Sequence, residues 1–401
     1  MNKPFWYSAI GMIMFSIFLT LAGGCSATRQ EQKPLPANKS SAADPVWPGE
    51  FDKQQAMWLM WPSEVYGQKH RSTYPVTIEI IKALTPYIPV NIITRSQEEG
   101  TRIRELLQQS GYSGDKVKYY VVNHYSIWAR DVGPLFIKND KSQLKVVNFG
   151  FNNYSRDGNG GYVNTEKQVD LLTARQLGLP VLHSSLVTEG GGIESNGRGT
   201  MMTTESVALA RNPGMTKVQI EQEYQRVLGV KKVIWLKKGL AEDDTITTGH
   251  IDEIARFANP TTILLAQVMP EDRNTNNYSQ QSYLRMEENF KLLQKATDQD
   301  GKPFKIIRIP MPPSLYAEGA RQGLNPPPVR SYLNYAVSNG VVLFQSYASS
   351  NRPNSLKVTE DRVKAVFREV FPGRKVISIN AESVNLWGGG IHCITQHMPA
   401  R

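Results

Sequence analysis

Four glycine-punctuated polar stretches carry the residue types that can do chemistry. The last of them, Trp387-Gly-Gly-Gly390-Ile-His392-Cys393-Ile-Thr-Gln396, holds a thiol behind three glycines that leave room in front of it. Gly249-His250-Ile251-Asp252-Glu253-Ile254-Ala-Arg256-Phe257 reads as a strand, in which His250 and Asp252 project from one face while Ile251 points away. A histidine sharing a face with a carboxylate is a candidate acid–base group. By the same alternation His392 faces away from Cys393, which leaves His250 as the candidate base. Trp128-Ala-Arg-Asp131-Val-Gly133-Pro134 follows a strand and offers Asp131. Glu189-Gly-Gly-Gly-Ile-Glu194-Ser-Asn-Gly-Arg-Gly-Thr200 offers Glu189 and lacks the Gly-Lys-Ser/Thr ending of a phosphate loop.

Each stretch alone has a plainer reading, since an Asp beside an Arg is commonly an ion pair and a single His a satisfied core residue. Together they supply a thiol, a histidine and three carboxylates, Asp131, Glu189 and Asp252. Carboxylates converging on a thiol oppose its ionisation unless a cation sits among them. A guanidinium is such a cation: carboxylates grip its planar N–H fork in pairs while a thiolate attacks the central carbon. A metal centre fits less well, because no histidine pair has ligand spacing and Cys/His tracts are absent.

The elements that must position these groups alternate between strand and helix patterns. Strand-like runs are expected at Val90–Thr94, Lys116–Val122, Leu135–Phe151 (a hairpin), Val181–Val187, Lys232–Leu236, Ile251–Phe257, Thr262–Val268, Phe304–Ile309, Leu333–Val337, Val341–Ser346 and Lys375–Ile379. Helical spacing marks Glu98–Gln109, Thr165–Leu177, Lys217–Leu228, Gln280–Ala296 and Glu360–Val370. Strands come in pairs between single helices, with a period of about 60 residues, which predicts one repetitive α/β domain over 47–401.

The 401 residues are 40% hydrophobic and 20% charged, which excludes wholesale disorder and a polytopic membrane protein. Lys and Arg number 46 against 36 Asp and Glu, a net +10 that is scattered without an RNP, zinc-finger or basic-helix pattern, so no nucleic-acid partner is expected. The first 25 residues read as an address. Lys3 precedes an apolar run from Phe5 to Ala22 and then Gly23-Gly24-Cys25, the charged start, apolar middle and small-residue exit of a secretory signal. A cysteine placed there resembles the lipidated first residue of a mature bacterial lipoprotein, with Leu21 one place further out than usual. An uncleaved anchor is the alternative. Residues 26–46, rich in small, polar and Pro residues, are expected to be a flexible tether. The body is therefore expected outside the cytoplasm, held by lipid on Cys25 at the periplasmic side or the outer membrane, with Cys393 its one remaining thiol.

With Trp47-Pro-Gly-Glu-Phe51, Trp58-Leu-Met-Trp61-Pro62 and Ser331-Tyr-Leu-Asn334, the four stretches make residues 47–401 resemble the agmatine deiminase and bacterial peptidylarginine deiminase family of guanidine-modifying enzymes. The resemblance implies a pentein fold, five ββαβ-type units around a pseudo-fivefold axis. It implies Cys393 as nucleophile, forming a thiouronium-like intermediate, and His250 as the group that protonates departing ammonia and then activates water. Asp131 and Asp252 would hold the guanidinium, Glu189 and Trp128 would line the substrate site, and no metal or organic cofactor is called for. The substrate would be agmatine or peptidyl-arginine, the products ammonia and a ureido compound. An amidinotransferase on the same fold and a non-catalytic lipoprotein binding cationic ligands are the alternatives. The chain departs from the family pattern at Glu253, where Asn is usual, at Glu194, where His is frequent, and in the longer Thr245–Thr248 approach to Gly249.

Overall fold

The computed structural model describes residues 45–68, 71–139, 141–156, 160–313 and 323–401. All of them fall in one compact unit. Cys25, the expected signal and most of the expected tether lie outside the described residues. The tether's final residue, Val46, is not free: it exchanges backbone hydrogen bonds with Lys138.

Sixteen strands build five small mixed sheets among the described residues. Four sheets repeat one plan, an antiparallel hairpin whose second strand is joined through a helix to a parallel third. These are β4 (Leu135–Lys138), β5 (Leu144–Gly150) and β6 (Val181–Val187); β7 (Ile193–Ser195), β8 (Thr200–Thr204) and β9 (Lys232–Leu236); β10 (Ala255–Asn259), β11 (Thr262–Gln267) and β12 (Lys305–Pro310); and β13 (Ala336–Val337), β14 (Val341–Gln345) and β15 (Lys375–Ile379). Parallel pairing needs a crossover, here supplied by helices Val169–Leu177, Lys217–Leu228, Asn277–Leu293 and Asn354–Val370. The remaining sheet takes strands from both ends of this unit. β16 (Gln396–Pro399) pairs antiparallel with β1 (Gln54–Met60), and β2 (Val90–Thr94) and β3 (Val117–Val121) follow in parallel.

The middle strands β2, β8, β11 and β14 are buried almost throughout, which suits their continuous apolar or threonine-rich sequences. Helices cover them with apolar stripes. Asn354–Val370 buries Leu356, Glu360, Val363 and Phe367, a 4-3-4 spacing that lines one face. Lys217–Leu228 opens with a reciprocal capping box between Thr216 and Gln219.

Several expectations change. The stretch expected as strand Ile251–Phe257 begins with a 3-10 turn, Ile251–Glu253, and only then becomes β10. His250 precedes that turn, so strand alternation does not govern His250 and Asp252. The helix expected over Thr165–Leu177 is split into Gly160–Glu166 and Val169–Leu177. Leu333–Val337 shrinks to the two residues of β13. The glycine-rich stretch after Glu189 is a hairpin, β7–β8, and helix Tyr74–Leu84 and strand β1 had no expected counterpart.

Candidate active site

Every expected site residue except Cys25 comes from a turn beside a strand end, where side chains can converge without disturbing a ladder. Trp128 precedes the one-turn helix Ala129–Val132, which carries Asp131. Glu189 precedes a 3-10 turn of three glycines, and Cys393 lies three residues before the start of β16.

The turn at Gly191 draws the groups together. A Cβ built there would fall 2.6 Å from His250 Nδ1, 2.8 Å from Asp131 Oδ1 and 3.1 Å from Asp252 Oδ2. Only glycine leaves these three polar groups their common space. Asp252 Oδ2 in turn accepts from Cys393 Sγ at 3.5 Å. Trp128 closes another side: a Cβ at Gly389 would lie 2.6 Å from the indole Cζ3 and 3.1 Å from Sγ. Tyr66 meets Trp128 edge-on and packs on Trp387 with ring centroids 4.8 Å apart, extending an aromatic wall that sequence reasoning missed.

His250 is fully buried between carboxylates. Its Nε2 lies 3.3 Å from Glu189 Oε2 and its Nδ1 3.9 Å from Asp131 Oδ1. Burial disfavours the imidazolium, yet Asp131 and Glu189 outweigh it and raise His250 to about 9. Burial pushes Asp131 up to about 6 against the pull of His250. Asp131 Oδ1 accepts from Gly191 N and its Oδ2 from the Tyr154 hydroxyl, both at 3.0 Å.

Glu189 is wholly buried, and both its oxygens accept from Arg211 Nε, at 2.7 and 3.0 Å. Burial opposes its ionisation, but His250 and Arg211 hold the carboxyl below the usual range. Glu189 thus orients the histidine. Arg211 also donates to Ser155 Oγ, Thr248 Oγ1 and the Thr247 carbonyl. Those partners belong to two turns in which Ser155 and Thr248 take left-handed backbone angles, φ 60° and 66°.

The thiol is buried and free of any disulfide. Burial, with Asp252, Glu253 and Asp131 nearby, pushes it well above its ordinary value. Asn334 Nδ2 donates to Sγ at 3.1 Å, while Asn334 Oδ1 accepts from the backbone N–H of His392 at 2.9 Å and of Cys393 at 3.3 Å. Asn334 belongs to the quoted Ser331–Asn334 motif, but nothing in the sequence assigned it to the thiol.

His392 and Cys393 do not sit on a strand, and both reach Asp252. His392 is withheld from the thiol for another reason: its Nδ1 meets Asp252 Oδ2 at 2.8 Å and its Nε2 meets Glu50 Oε1 at 2.9 Å. Burial opposes charge on Asp252, but the His392 hydrogen bond holds it below the usual range. Glu50 also accepts from Arg130 NH1 at 2.6 Å and Arg256 NH2 at 2.7 Å, and Arg256 reaches Glu194 at 3.1 Å. Burial notwithstanding, Arg130, His392 and Arg256 keep the Glu50 carboxyl well below the usual range.

Two groups of possible metal ligands occur among the described residues, Glu50–Glu194–His392 and Asp252–Glu253–Cys393. The first already serves the guanidinium groups of Arg130 and Arg256. The second is the thiol site itself. A thiol flanked by carboxylates, with a protonated imidazole and a carboxamide close by, is arranged to receive an organic cation and attack it.

The chain belongs to the Porphyromonas-type peptidyl-arginine deiminase family, whose pattern matches residues 46–399. Among its relatives, a protein of Shewanella frigidimarina provisionally named agmatine deiminase is 30% identical over 375 residues, covering 88% of this chain and 94% of the relative. A likewise provisionally named protein of Latilactobacillus sakei is 28% identical, covering 88% and 95%. The solved agmatine deiminase of Enterococcus faecalis superposes with a TM-score of 0.76 at 26% identity, over 91% of this chain and all of that one. The substrate-bound agmatine deiminase of C. jejuni shares the fold, with a TM-score of 0.74 at 21% identity, covering 91% and 99%.

Proposed function

We infer that the protein is a hydrolase acting on the C–N bond of a linear amidine: it deiminates a guanidinium substrate through a covalent adduct on cysteine. Agmatine is the first substrate to offer it, given its relatives. The observation that carries the reading is the Cys393 thiol within hydrogen-bond reach of Asp252 and Asn334, with His250 across the Gly191 turn.

In this reading the guanidinium settles among the carboxylates, and its positive charge favours ionisation of the thiol, whose proton passes to solvent. Sγ attacks the central carbon, and the C–N bond breaks as His250, protonated in the resting site, gives a proton to departing ammonia. His250, now neutral, takes a proton from the water that attacks the thiouronium carbon. The C–S bond then breaks and leaves a ureido product and free Cys393. Trp128 walls the site against water beside the sulfur.

We also propose that the five strand–helix units are the blades of a pentein propeller. The plan common to four of them and the fold shared with the E. faecalis enzyme support this. The segment from Lys3 to Cys25 supports a lipid-anchored protein outside the cytoplasm.

Agmatine, free arginine and peptides with internal or C-terminal arginine, offered side by side to the full chain, test the activity. Ammonia and ureido product are expected from one of them, and Cys393→Ala should lower the rate about a thousandfold or more. Binding without turnover of any substrate would overturn the reading, and transfer of the amidino group to an added amine would make the protein an amidinotransferase.

A further inference from the structure

Glu253 has no role in the scheme above, yet it lies at the thiol. It is 3% exposed, and its Oε1 is 3.9 Å from Cys393 Sγ. Its other oxygen, Oε2, is buried with no hydrogen-bond partner, and so is Oδ1 of its neighbour Asp252. Unsatisfied buried acceptors are costly and rare, so two on consecutive residues beside a nucleophile call for a ligand that donates. The other carboxylates are already engaged: Asp131 by Gly191 and Tyr154, Glu189 by Arg211 and His250. The 3-10 turn Ile251–Glu253 presents both orphaned side chains from one tight bend.

We propose that Glu253 is a third carboxylate of the guanidinium seat, which with Asp252 takes N–H groups of the bound guanidinium through the oxygens that have no partner within the protein. This rests on the deiminase reading and adds a substrate contact to it.

The electrostatics fit a seat that waits for its cation. Burial, then Asp252 and Asp243, push the Glu253 carboxyl well above its ordinary value, against the pull of Arg256. Cys393 and Tyr347 are the other titratable groups whose charge it feels or influences. Burial beside Asp252 thus favours the neutral acid at Glu253, which spares the fold a second buried anion there. A guanidinium arriving between them reverses the balance. The acid gives its proton to solvent, and the resulting carboxylate makes a charge-assisted bond to the substrate.

Glu253→Gln keeps the shape of the neutral acid and removes its capacity to become an anion. With agmatine as substrate, KM should rise by about 10–100-fold while kcat stays within about threefold, the signature of lost ground-state and transition-state binding alike. Calorimetric titration of agmatine into Cys393→Ala and into Cys393→Ala/Glu253→Gln should show the same factor in Kd. Unchanged KM and Kd would overturn the proposal, and so would a loss confined to kcat, which would place Glu253 on the sulfur instead of the substrate. If the Gln variant does not fold, Glu253→Asn, which is shorter and also uncharged, carries the same expectation. Failure of the wild-type protein to turn over any guanidine would defeat the deiminase reading itself, while the paired titrations would still report whether Glu253 holds the cation.

Discussion

His250 lies between two carboxylates whose charges act in one direction, and this sets the pH range in which the site can work. In the proposed scheme the imidazole, protonated below about 9, can give a proton to the leaving ammonia; above that value it cannot. Below about 6 Asp131 becomes neutral and loses both its pairing with His250 and its hold on a cation. The expected profile of kcat/KM against pH is thus a bell, rising through about 6 and falling through about 9. A rate that keeps climbing past pH 10 would remove His250 from the role of acid. The same shift bears on stability. His250 is raised above its ordinary 6.5, so the stability contributed by its charge is complete below that value and is lost as pH rises through about 9.

The chemistry hangs on turns, and Arg211 ties several of them together. It links Glu189 to the Thr247–Thr248 bend and to Ser155, so that one buried guanidinium fixes the orienting carboxylate and the approach to His250. Replacing it with Met leaves His250 as the one charged partner of the buried Glu189, and about 3 kcal/mol of stability should be lost in urea denaturation. A loss under about 1 kcal/mol would mean that water or a rearranged neighbour satisfies Glu189.

Strands β9 and β15 and helix Lys217–Leu228 were legible in the sequence because clustered β-branched residues and regular amphipathic spacing report local structure directly. The hairpin β7–β8 was not, since Glu194, Ser195 and Thr203 are polar yet buried, and no alternation marks it. The four polar stretches were visible as candidates, and the structure brings their side chains together. Which carboxylate faces which partner was not visible. His250 and Asp252 converge through a 3-10 turn where a strand was expected. Asn334 reaches the thiol across 59 residues of chain and Glu253 across 140, contacts that leave no local trace.

Across the whole molecule, the proposed anchor makes a prediction separate from the chemistry. The wild-type protein should take up labelled fatty acid and sediment with membranes, whereas Cys25→Ser should do neither. A variant that still sediments would favour the uncleaved anchor.

The clasp between β1 and β16 has a consequence for biosynthesis. Translation supplies β1 early, but its antiparallel partner only after every other element of the fold, and Cys393 arrives immediately ahead of that partner. A polypeptide stopped before His392 would contain Asp131, Asp252, His250 and Asn334, yet would lack both the proposed nucleophile and the strand that closes the first sheet. Copies clipped ahead of that point are therefore expected to lose the site and its sheet together.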